Sequence, residues 1–121
     1  MQYTHSRLTS LVEAATVSLG DSDVTSIDTT SLQESIAREL VYHIARYDEV
    51  LSISYYNHEP HHLVQYLFVL CNTASKALKV LQVKTAPDTT TAMARLLLFH
   101  CTRKTLGEGL TVLGIKPLDK M

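Results

Sequence analysis

The stretch from Arg95 to Met121, RLLLFHCTRKTLGEGLTVLGIKPLDKM, decides how this chain reads. Its first part forms the body of a predicted helix from about Thr90 to Val112. Gly114 stops that helix, because glycine accepts the left-handed geometry of a helix end. Upstream, Thr85 to Thr89 reads as a loop. Before it, Pro60 opens a helix that runs to about Leu81, since proline suits a first helical turn. Leu63, Tyr66, Leu67, Leu70, Ala74, Leu78 and Leu81 face inward at helical spacing. Further back, Leu32, Ile36, Leu40, Ile44 and Tyr47 repeat every three to four residues behind a capping box of Ser31 and Glu34. A shorter helix follows from Asp48 to about Tyr56. Leu8, Leu11, Ala15 and Leu19 mark a first helix over residues 2–19, which Gly20 ends, and the Asp-, Ser- and Thr-rich residues 20–30 form a polar loop. No segment alternates with period two. The expected fold is all-α, a bundle of four or five helices with short connections.

A length of 121 residues sets one domain, residues 1–121, and 45% hydrophobic composition is enough for a core without staples. No run approaches the ~20 apolar residues of a membrane span, and no signal pattern opens the chain. The expected location is cytoplasmic. Cys71 and Cys101 sit in apolar helical stretches and read as buried free thiols of a reducing compartment. The net charge of −1 hides an asymmetry: residues 1–60 carry nine acids and three bases, and residues 61–121 carry three acids and eight bases. Such polarity can present a basic face to phosphate on a neutral whole, although two solvated faces of unequal charge give the same count.

The densest chemistry lies in Tyr55-Tyr56-Asn57-His58-Glu59-Pro60-His61-His62. His58-Glu59-x-x-His62 matches the zinc-protease pattern in form, but that pattern needs a continuous helix, and Pro60 disfavours helical geometry at Glu59. No metal and no cofactor are expected. The cluster reads instead as a loop-to-helix junction rich in proton-transfer groups, beside the positive end of a helix dipole. Surface histidines with tyrosines packed beneath them are the plainer alternative. Lys76, Lys79, Lys84, Arg103 and Lys104 can contact phosphates or simply be solvated. His43 and His100 lie in apolar helices and read as core histidines.

Several segments together resemble the DALR-type anticodon-binding domain of class I arginyl-tRNA synthetases. The C-terminal match is a helix opening with Arg95-Leu96 and ending in Gly109-Leu110, Leu113-Gly114-Ile115 and Pro117, with a final Met121. Gln2-Tyr3-Thr4-His5-Ser6-Arg7 resembles the segment that follows the family's catalytic domain. Glu59-Pro60, Tyr66-Leu67, Leu70 and Val83 fall in the family's order and spacing. The resemblance implies the same helical architecture, tRNA as partner, and Arg7 and Met121 near the RNA. One departure stands out: the family carries an aromatic residue where this chain has Leu78, and leucine stacks poorly on a base.

Three readings follow, with no aminoacylation domain expected in the chain. The first is an enzyme, resembling the small fungal arginine-containing cyclodipeptide synthases. It would join arginine from arginyl-tRNA with the amino acid of a second aminoacyl-tRNA into a diketopiperazine. In that reading His58, His61 or His62 is the base, Tyr55 or Tyr56 donates to the oxyanion, and Glu59, Asp48 or Glu49 holds the arginine guanidinium. The alternative is a non-catalytic module or adaptor that binds arginine tRNA. A domain repurposed for protein contacts is a third reading.

Overall fold

The computed structural model describes residues 2–19, 34–81 and 89–115, with side chains for 2–13, 34–81 and 91–115. Five helices make up these residues: α1 (Gln2–Leu19), α2 (Ser35–Ala45), α3 (Tyr47–Tyr56), α4 (His61–Val80) and α5 (Thr89–Val112). There is no strand among the described residues. The all-α expectation holds, with five helices.

α4 is the centre of the bundle and packs against each of the other four helices. The cause lies in its sequence. Leu63, Leu67, Leu70, Ala74 and Ala77 are buried at alternating steps of four and three, and Tyr66, Cys71 and Thr73 widen the stripe. Leu63, Leu67 and Leu70 are essentially sealed from solvent. Truncating any one of them to alanine costs about 2–5 kcal/mol.

α5 touches α1, α2 and α4 and is therefore buried on more than one side, at Ala92, Leu96, Leu98, Phe99, Leu106 and Leu110. Gly109 explains how closely α5 approaches α4: a Cβ there would lie 2.7 Å from Leu67 Cδ2. The glycine costs about 1 kcal/mol of helix propensity and permits this contact.

α1 lies mainly along α5. Its buried face is half polar: Thr4, His5 and Thr9 alternate with Leu8 and Val12. The facing helix contributes the buried Thr102, whose hydroxyl donates to the Leu98 carbonyl at 2.8 Å, satisfying it within its own helix.

α2 and α3 meet at a single residue. Arg46 ends one helix and begins the next with φ −83° and ψ −3°. Its N–H is shared between the Tyr42 and His43 carbonyls at 3.2 Å each. The start of α2 differs from expectation. The helix begins at Ser35, Glu34 occupies the N-cap, and no side-chain cap bond forms there. The Glu34 carboxylate is instead engaged by Arg95 of α5, Nη2 to Oε1 at 3.0 Å, which ties the start of α2 to α5. Ser31, Leu32, the 20–30 loop and Val83 lie outside the described residues, as do the side chains of Ala15 and Leu19.

Two helices end in the same way. At α5, Ile115 N–H bonds to the Leu110 carbonyl at 2.9 Å and Gly114 N–H to Thr111 at 3.0 Å, with Gly114 at φ +81°. At α3, Glu59 N–H bonds to the Ser54 carbonyl at 3.1 Å and His58 N–H to Tyr55 at 3.3 Å. The left-handed residue is here His58, φ +54°. Both are Schellman ends. Pro60 follows at φ −71°, and its carbonyl accepts the first bond of α4 from Val64 N–H at 3.0 Å.

Candidate nucleic-acid interface

The α3–α4 junction gathers most of the residues expected to do chemistry, and it places them on the surface. Tyr55 and Tyr56 are 74% and 78% exposed, ring edge against ring at 5.7 Å. His58, Glu59 and His61 are exposed, and His62 is half-buried. The left-handed turn takes His58 off the helix, so His58 and His62 do not share the helical face that the zinc-protease pattern requires. The residues brought together are Glu59, His61 and His62. Tyr55 and Tyr56 do not pack the core as the plainer reading expects. Tyr47 and Tyr66 do so.

Tyr66 is a structural tie. Its hydroxyl donates to the His43 carbonyl across α4 and α2. Burial pushes its phenol up to about 12, with Tyr47 and Asp48 adding to the rise and Arg46 opposing it. It stays neutral and keeps its proton. Burial also raises Tyr47, with Glu108 and Asp48 adding.

Asp48 and Glu49 sit in the first turn of α3, where a negative charge favours the helix dipole. Glu49 is 4.0 Å from Arg46, both at the surface. α3 has ten residues and so spans about 15 Å. The two carboxylates lie at one end and the histidine cluster follows the other. The structure does not bring them into one site.

The cations are distributed differently. Arg7 is exposed on α1, and Lys76 and Lys79 are exposed on α4 at a spacing of three. Lys84 and Met121 lie outside the described residues. Leu78, which the resemblance sets in place of an aromatic residue, is half-buried against the core. Arg103 and Lys104 do converge on a feature: a groove of about 670 Å³ lined by His5, His100, Arg103, Lys104, Gly107, Glu108 and Thr111.

That groove, between α1 and α5, is the part sequence reasoning missed. His100 is half-buried at its wall rather than in the core. Arg103 Nη2 stands 3.1 Å from His100 Nδ1. A guanidinium can only donate, so this pairing makes Nδ1 the acceptor and puts the imidazole proton on Nε2. Burial lowers the His100 pKa, and Arg103 and Lys104 lower it further, so the ring is neutral at neutral pH and the charged groups of the wall are Arg103, Lys104 and the carboxylate of Glu108. A signal was available in the sequence: His100, Arg103, Lys104, Gly107 and Thr111 recur at steps of three and four, a polar stripe opened by a glycine. His43, also read as core, is half-buried and lines a smaller groove with Arg46, Val50, Ile53, His62 and Gln65. Of the two cysteines only Cys71 is buried, and burial pushes its thiol up. Cys101 is half-buried and lines an apolar groove between α2 and α5.

Among the described residues, the last helix lines an open groove with Arg103 and Lys104, and with Glu108 beside them. The DALR anticodon binding domain family matches the chain over residues 1–121. The human probable arginine–tRNA ligase, mitochondrial, is 40% identical over 121 residues, covering all of this chain and 20% of that protein. The Saccharomyces cerevisiae arginine–tRNA ligase, mitochondrial, is 34% identical over the whole chain and 18% of its own length. The Schizosaccharomyces pombe probable arginine–tRNA ligase, cytoplasmic, is 33% identical, with 19% of its length covered. The chain belongs to the DALR anticodon-binding domain family. It spans about a fifth of the length of the curated relatives it matches. No helix among the described residues is long and apolar enough to cross a membrane.

Proposed function

We propose that this chain, as one domain over residues 1–121, binds arginine tRNA as a non-catalytic anticodon-binding module. The observation that carries the reading is the coincidence of a whole-chain family match with a groove that both Arg103 and Lys104 line. The binding is electrostatic in its main part. Arg103 and Lys104 displace counterions from phosphate, while neutral His100 can offer its Nε2–H as a donor to an oxygen.

The reading as a cyclodipeptide synthase draws less support. The similar proteins carry the name arginine–tRNA ligase. Of the three carboxylates proposed to hold arginine, Glu59 lies beside His61 and His62 while Asp48 and Glu49 are separated from them by the length of α3, and Tyr55 and Tyr56 stand in solvent, where an oxyanion donor is weak. A second aminoacyl-tRNA has no place in the module reading. The cytoplasm is the location read from the sequence, and the relatives' names make the mitochondrion the other candidate.

The test is filter binding of the purified chain to arginine tRNA and to an unrelated tRNA over a salt series, with a parallel incubation with arginyl-tRNA and other aminoacyl-tRNAs. Salt-sensitive binding that favours arginine tRNA, with no cyclic dipeptide by mass spectrometry, is the expected result. An arginine-containing cyclic dipeptide would return the chain to the enzymes, and absence of tRNA binding would refute the module.

A further inference from the structure

Glu59, His61 and His62 place three metal-ligating atoms within 4.8 Å of one another. Their spacing is not that of hydrogen bonds. Glu59 Oε2 is 3.7 Å from His61 Nδ1 and 3.5 Å from His62 Nε2, longer than the roughly 3.2 Å limit of an N–H···O bond. A tetrahedral ion with bonds of about 2.1 Å holds its ligand atoms about 3.4 Å apart. The two distances from Glu59 are near that spacing, and all three atoms lie within 4.8 Å of one another.

The backbone accounts for the convergence. The Schellman end of α3 places Glu59 immediately after the left-handed His58, and Pro60 then starts α4. The carboxylate is thereby folded against the first turn of α4. Successive residues on a helix point about 100° apart, yet the His61 and His62 rings lie 4.1 Å apart and tilted by 35°, each with one nitrogen near the same carboxylate oxygen.

We propose that Glu59, His61 and His62 form a surface site for one divalent cation of the zinc class, held by the Glu59 carboxylate, His61 Nδ1 and His62 Nε2. Two imidazoles and a carboxylate suit zinc, nickel or copper. They do not suit magnesium, which takes oxygen ligands and keeps its waters. Three protein ligands leave a fourth position for water. The site departs from the sequence expectation of no metal and uses a different set of residues from the zinc-protease pattern. It does not depend on the tRNA-binding reading.

The experiment is calorimetric titration of the chelator-treated chain with zinc chloride, repeated with cobalt chloride followed by visible absorption and with magnesium chloride. One zinc per chain is expected, with a cobalt spectrum of low coordination number, no magnesium uptake, and a melting temperature that rises with zinc. E59Q, H61A and H62A each weaken zinc binding at least about 10-fold, while H58A and C101S bind as the parent does. Circular dichroism of each variant checks that the fold is kept, which is expected because Glu59 and His61 are exposed and His62 is only half-buried. Absence of saturable uptake at millimolar zinc overturns the proposal. So does binding unchanged in H61A and H62A, or binding lost in C101S.

Discussion

The α3–α4 junction and the α1–α5 groove are opposites in how they are encoded. The junction packs three histidines, a carboxylate and two tyrosines into eight consecutive residues, and the fold leaves nearly all of them exposed. The groove draws His5 from one end of the chain and His100, Arg103 and Lys104 from the other, with no dense motif in between. Density along the sequence marks a segment where few residues are needed for the core. A concave site is made by packing, so its residues are spread over distant segments.

The largest expected effect separates the two regions on RNA. Charge reversal in R103E/K104E should reduce arginine tRNA affinity by about two orders of magnitude and lower the salt slope by about 2. H58A/H61A/H62A in a chelating buffer should leave affinity within about 2-fold. Filter binding checks both, and loss of binding in the histidine variant would move the interface to the junction.

Next comes the groove's support. Gly109→Val forces a side chain into Leu67 and should cost about 2–3 kcal/mol by denaturant titration, with tRNA affinity falling as α5 shifts. Smaller is Tyr66→Phe, which removes the hydroxyl that donates to the His43 carbonyl. About 1 kcal/mol should be lost, with no change in RNA binding. His58→Gly should stabilise by about 0.5–1 kcal/mol, since it relieves a left-handed residue with a Cβ.

The smallest effect is in pH. The folded-state pKa of His100 lies below its ordinary value because of burial, Arg103 and Lys104. The unfolded chain therefore takes up the proton first, and stability falls as pH drops from the ordinary histidine value through the depressed one. H100Q should flatten that part of a melting-temperature profile. An equal slope in parent and variant would show that His100 does not carry it.

Much of the fold was legible because its signals are local. Helical spacing in α4, Pro60 before it and Gly114 after α5 each announce an element by short-range sterics. The start of α2 was misread for a long-range reason: Glu34, which looked like half of a capping box, is held by Arg95, 61 residues away. Tyr55 and Tyr56 look like core aromatics in the sequence, and only the direction of α3 turns them outward. His100 could have been found from its polar stripe, but His5, which lines the same groove, could not, because no local pattern says that α1 lies along α5.

The central place of α4 has a consequence for how the molecule breathes. A helix gripped by all four others can lose its amide protons to solvent only when the whole bundle opens, so its slowest exchanging amides should report the global unfolding free energy. α3, ten residues long and packed chiefly on α2 and α4, can lift away at lower cost. In deuterated water the histidine-rich corner should label early while the helix that follows it stays dark.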